Sequence, residues 1–241
     1  MIAIQFVLAA LILFFTANVK AETTNGLSDA EIQGRQLAQQ LCEAQPAENF
    51  TNTGVLQIRP KDGPRSELHF QFRAEITPTN WQGIYETTSE SYRVEFKIIH
   101  NDDQVDYYEV RNGQAEQVPP TTSFAGSDFY LSDLGLEFFH WSAQKILPNP
   151  TSLKLGRSYK LLESTNPDSS TNGYSRVLSW IDRESGGILQ AEAYDTQGNV
   201  LKKFYPKDYK KDANGHWQLK MMEMDNVQTG SRTRLEFDVK K

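Results

Sequence analysis

A single cysteine, Cys42, stands in the 241 residues, so no disulfide can form within one chain. Four histidines occur, His69, His100, His140 and His216, and none has a second ligand at metal spacing. HExxH and CxxC are absent, as are the G-x-S-x-G elbow, the Walker A loop and the G-x-G-x-x-G fingerprint. Acid pairs such as Asp102-Asp103 fall where hairpin turns are expected, and solvation accounts for them. With no motif for a metal, a cofactor or a nucleophile, the chain is expected to bind rather than catalyse, and to need no cofactor.

Positive charge is also scarce. Lysine and arginine total 25 against 31 acids, a net charge of −6. The pairs Lys202-Lys203, Lys210-Lys211 and Lys240-Lys241 lie among acids, so no surface suited to phosphate backbones is expected, and no nucleic-acid partner. A membrane-spanning run of about 20 apolar residues is missing too. The longest, Ile2–Phe15, is shorter and carries Gln5. Val19-Lys20-Ala21 then places small residues as a signal peptidase requires, which predicts export with cleavage after Ala21. A retained N-terminal anchor is the competing reading. Residues 22–27 read as a flexible leader, and residues 28–241 as one domain.

What is present is apolar patterning. Hydrophobic residues make up 38% and aromatics 11%, enough to predict a folded core. Ser28 and Glu31 form a capping box, and Leu27, Ala30, Gly34, Leu37, Ala38 and Leu41 follow at helical spacing, so an amphipathic helix is expected to end near Glu43. Cys42 is read as a small core residue of that helix. Leu68, Phe70, Phe72, Ala74 and Ile76 alternate with polar residues, as do Val94, Phe96 and Ile98, and then Leu235, Phe237 and Val239. Further short strands, Val55–Ile58 among them, are parted by Asn-Gly and Gly-Gly turns. This is the pattern of a meandering antiparallel sheet whose twist curls it towards a barrel.

Such a sheet either packs a core or walls a cavity. Phe70, Phe72, Phe96, Leu178, Trp180, Trp217, Leu235 and Phe237 are candidate walls, and Met221, Met222 and Met224 add adaptable surface. Residue by residue, ordinary core is the simpler reading. Gly126 to Trp141, GSDFYLSDLGLEFFHW, interrupts the strands with apolar residues on all sides. Leu134, Phe138 and Trp141 share a helical face, with Ser132 as cap, while alternation at Leu134, Leu136 and Phe138 also suits a strand.

Several segments carry a resemblance in the right order over about residues 50–241. They are Gly126-Ser127-Asp128-Phe129 with Asp133-Leu134, then Tyr174-Ser175-Arg176-Val177 with Trp180-Ile181-Asp182. Ala193-Tyr194-Asp195 with Gly198 follows, and Met222-Glu223-Met224 leads to Arg232-Thr233. The chain thereby resembles the exported bacterial outer-membrane lipoprotein-sorting proteins, related to the LolA-like superfamily. The resemblance implies a mainly β (α+β) fold, a curved antiparallel half-barrel covered by a few helices. It implies a periplasmic carrier whose hydrophobic cavity holds lipid or the acyl chains of lipoproteins. The alternative is an envelope sensor or adaptor that binds a membrane-protein partner with the same fold. On this reading Phe129, Leu134, Phe138, Phe139 and Trp141 belong to a helical lid, loosened at Gly135, and the protein is a monomer.

Overall fold

The computed structural model describes residues 26–238 apart from 90–92, 150, 152, 169–172 and 212–216. The expected signal segment therefore lies outside the described residues. Helix α1 spans Asp29–Cys42. Its start is the expected capping box: the Glu31 carboxylate accepts from Ser28 N at 2.8 Å, and Ser28 Oγ accepts from Glu31 N at 3.4 Å.

Among the described residues, thirteen strands then form one antiparallel sheet. In chain order they are β1 (Phe50–Arg59), β2 (Ser66–Ile76), β3 (Trp81–Thr87), β4 (Glu95–His100), β5 (Val105–Arg111) and β6 (Gln114–Gln117). After a long connection come β7 (Ala143–Leu147), β8 (Tyr159–Thr165), β9 (Arg176–Asp182), β10 (Ile188–Tyr194), β11 (Val200–Lys211), β12 (Trp217–Asn226) and β13 (Arg232–Phe237). Spatially the sheet runs β6-β5-β4-β3-β2-β1-β13-β12-β11-β10-β9-β8-β7. The chain steps outward from β1 to one edge, crosses to the far edge, and steps back until β13 pairs with β1. The sheet is curved but not closed, so β6 and β7 remain its edges.

Period two decides which side chains face inward. Phe70, Phe72 and Ala74 of β2, Phe96 and Ile98 of β4, and Leu235 and Phe237 of β13 all enter one core. Leu178 and Trp180 do not. They belong to a second cluster with Tyr159 and Leu161, while Val177 and Ile181 enter the main core. As cavity walls those two are corrected: β9 is apolar on both faces, and its register puts them on the outer one. Trp217 opens β12, and its side chain lies outside the described residues. Met222 and Met224 are buried in the main core.

Three strands are absent from the expectations. The alternation of β3 is broken to the eye by Gly83, which is buried beside the Phe72 ring. Strand β6 is short and polar, β7 is a five-residue strand too short to show an alternation, and β1 extends to ten residues because its flanks are polar but paired.

Helix α1 covers the β7 edge, which removes an unpaired strand from solvent. Close approach depends on Gly34, where an added Cβ would come within 2.5 Å of Lys145 N and 2.6 Å of Lys145 Cα. Backbone atoms cannot swing aside. Gly34→Ala is therefore expected to cost about 1–3 kcal/mol by overpacking, against a helix-propensity gain of about 1 kcal/mol. A lower denaturant midpoint at unchanged slope would show it, and a raised midpoint would refute the packing. Cys42 packs against the main core from the same helix, and burial pushes its thiol up to about 12, so it stays protonated.

Candidate functional site

The connection between β6 and β7 crosses the concave face from one sheet edge to the other. It folds on itself through Phe124 N to Phe129 O at 2.8 Å, Leu131 N to Thr122 O at 2.9 Å and Ser132 N to Pro120 O at 2.9 Å. Its helical content is small: a 3-10 turn at Phe124–Gly126, α2 at Leu131–Leu134, and a second 3-10 turn at Glu137–Phe139. The expected helical lid is thus corrected to a coiled plug. The cap is also corrected. Tyr130, not Ser132, precedes α2, and Asp133 accepts from Tyr130 N at 2.8 Å. Ser132 is instead buried inside the first turn, and the helix stops because Leu136 adopts φ 50°. Ala125 has the same φ, and for residues with a Cβ each such conformation costs about 1–2 kcal/mol.

Apolar contacts seat the plug. Phe124 and Phe129 are fully buried. The Phe124 ring meets Phe70, Tyr85 and Phe96 edge-on at 6.2, 5.5 and 6.1 Å between centroids. Phe129 meets Phe204 at 6.4 Å. Leu134, Phe138 and Phe139 are buried and Trp141 half-buried, so the five residues expected in a lid do share this segment. Gly135 does not loosen it: an added Cβ would lie 2.9 Å from Tyr107 Oη and 3.0 Å from Val105, so the missing side chain lets the plug sit close.

A buried polar latch fastens the plug, and sequence reading missed it. The Asp128 carboxylate accepts from Thr233 Oγ1 at 2.8 Å, Ser231 Oγ at 2.6 Å and Asn226 Nδ2 at 3.1 Å. Asp133 accepts from Tyr174 Oη at 2.8 Å and lies 3.6 Å from Lys202 Nζ. Lys202 also donates to Asp128 O at 2.5 Å and sits 3.1 Å above the Tyr130 ring centroid. The Lys202 and Asp133 side chains are only 5% and 7% exposed. Burial pushes the Asp133 carboxyl up although Lys202 opposes it, and pushes the Lys202 ammonium down although Asp133 opposes that. Burial beside Asp133 holds the Tyr174 phenol well above its usual range, so it keeps its proton and donates. A signal for Lys202 did exist, since it shares strand parity with Phe204, which faces inward.

The other end is held by Gln144 of β7, whose Nε2 donates to Phe138 O and Trp141 O, each at 2.8 Å. Between the fastenings the fit is poorer. Tyr107 Oη and Glu137 Oε2 face each other without a well-formed hydrogen bond. Two small voids, about 30 and about 20 Å³, lie against Asp133 and Leu136. Each admits a water molecule or two. Ligand pockets run to about 300–1,000 Å³, so these voids cannot hold a lipid while the plug is seated.

A family model described only as uncharacterized-protein-like matches residues 95–240. The chain belongs to that family. Its fold is LolA-like, as three solved structures show. A DUF1329 family protein from Desulfovibrio piger superposes with a TM-score of 0.70 at 16% identity, covering 88% of this chain and 92% of the other. A domain assigned to the outer membrane lipoprotein-sorting proteins, from Vibrio parahaemolyticus, gives 0.71 at 20%, with 86% and 91% covered. A LolA superfamily protein from Nitrosomonas europaea gives 0.63 at 18%, with 88% and 92% covered. No curated protein matches the sequence. Among the described residues, no helix of this LolA-like chain is long and apolar enough to cross a membrane, and no cluster of His, Cys, Asp and Glu is placed to hold a metal.

Proposed function

We propose that this protein is an exported, periplasmic carrier that takes a lipid, or the acyl chains of a lipoprotein, onto the concave face when the plug lifts. The signal segment is removed after Ala21, and the carrier works without catalysis or cofactor. One observation carries the reading: a single connecting segment, apolar towards the sheet, fills the concave face and is fastened there by a small polar latch. An ordinary core has no use for two buried carboxylates and a buried ammonium, which are expensive to desolvate. Both ends of the connection are anchored at sheet edges, so it lifts as a strap. Its residues 118–142 have ample slack, since an extended chain reaches about 3.3 Å per residue. An acyl chain entering beneath it gains roughly 0.8 kcal/mol per CH₂ buried.

The test uses full-length protein purified from the envelope of its own cells. Native mass spectrometry is expected to show a bound lipid, and the neutral probe N-phenyl-1-naphthylamine to brighten on addition. Lipid-free protein together with a silent probe would sink the carrier reading. A second reading, an adaptor for an envelope membrane protein, draws support from Leu153 and Leu155, which are 54% and 71% exposed on one loop. Removing both side chains would abolish capture of that partner and leave probe binding intact.

A further inference from the structure

The latch is not symmetrical. Lys202 belongs to the sheet, yet its close partners, Asp128 O, the Asp133 carboxylate and the Tyr130 ring, all belong to the plug. From the sheet side it sees the Tyr174 ring, 5.6 Å away. Tyr174 Oη in turn directs its proton at Asp133. Asp128 differs, because the three side chains that receive its carboxylate are uncharged and can pair with water once it leaves.

Lifting the plug therefore removes the counter-charge from one buried ammonium. Water could hydrate it in an empty, open face. An acyl chain laid over the same wall excludes that water, and an ammonium covered by hydrocarbon without an anion is strongly disfavoured. A neutral lipid would bind against this penalty, whereas an anionic one would cancel it. The smaller void already joins the two ends of such a ligand. Its lining includes both the polar groups Lys202, Tyr174 and Asp133 and the small apolar side chains Val177, Ala191 and Ala193.

Resting on the carrier reading, we propose that the ligand is an amphiphile with an anionic head group, carboxylate or phosphate, which takes the place of the Asp133 carboxylate between Lys202 Nζ and Tyr174 Oη. The plug is then an internal mimic of its own ligand. Asp133 supplies the head group, and Leu134, Leu136 and Phe138 supply the tail. Exchange of one for the other keeps Lys202 paired in both states.

The experiment measures displacement of N-phenyl-1-naphthylamine by four compounds with the same sixteen-carbon chain. These are hexadecanoate, hexadecyl phosphate, hexadecanol and the hexadecyltrimethylammonium cation. The wild-type protein is expected to prefer one or both anions over hexadecanol by about tenfold or more, with the cation weakest, as a charge-assisted contact implies. Which anion wins distinguishes a fatty acid from a phospholipid head group. In Lys202→Met, checked for folding, the ratio of anion to alcohol should fall to about one. In Asp133→Asn, which removes the internal competitor, affinity for the anion should rise several-fold, a gain that misfolding cannot imitate. Equal displacement by anion and alcohol in the wild type, or a preference that survives Lys202→Met, would overturn the head-group assignment and leave the carrier reading standing. Displacement by none of the four, in Asp133→Asn as well, would overturn both.

Discussion

Lys202→Met is expected to lower the free energy of unfolding by about 3–5 kcal/mol near neutral pH, because it strands the Asp133 carboxylate inside the protein. The loss should shrink in acid. Burial already raises the Asp133 carboxyl above its ordinary value, and Lys202 opposes that rise. Without Lys202 the folded-state value climbs further. A carboxyl whose folded pKa is raised stabilises the fold below its unfolded value, and that contribution is lost as pH rises through the folded value. The variant should therefore approach the wild type as pH falls through that raised folded value towards the ordinary carboxyl range, since protonated Asp133 still accepts from Tyr130 N and Tyr174 Oη. Denaturant titrations at several pH values check this. A deficit that does not vary with pH would mean lost packing of the lysine stem, not a stranded charge. The double variant Lys202→Met with Asp133→Asn separates the two, since it should recover most of the loss at neutral pH.

How much of this was legible beforehand depended on whether one pattern dominated a segment. In β2 and β13 one face is apolar and the other polar, so spacing alone located Phe70, Phe72, Leu235 and Phe237 on the inner wall. In β9 both faces are apolar, and Val177, Leu178, Trp180 and Ile181 gave no ground for choosing a side. Only the pairing of Leu161 with Trp180 and of Leu162 with Ser179 separates them. The plug was recognised as a covering element but not as a coil, because Leu136 in a left-handed conformation is a tertiary outcome that no helical wheel contains. Its latch stayed hidden for a different reason. Asp128, Asp133 and Lys202 are separated by up to 74 residues, and an ionisable side chain in isolation is most simply read as solvated. The crossing of the connection from edge β6 to edge β7 follows from strand order, which spacing within strands does not encode.

That crossing gives the second large expectation its meaning. Phe124→Ala removes a fully buried ring held by Phe70, Tyr85 and Phe96, and such truncations cost about 3–5 kcal/mol. Where the loss appears is the informative part. Leu131 N, Ser132 N and Gly135 N are bonded within the connection itself, to Thr122 O, Pro120 O and Leu131 O. The amides pairing β1 with β13 sit at the centre of the sheet. If the strap opens apart from the sheet, hydrogen exchange at the first set should accelerate by about a hundredfold or more, and the central amides should change far less. The surviving fastenings, the latch and Gln144, keep the strap tethered while Phe124 no longer seats it. Parallel acceleration of both sets would mean that the connection unfolds only with the whole sheet, and a carrier built this way would have no door.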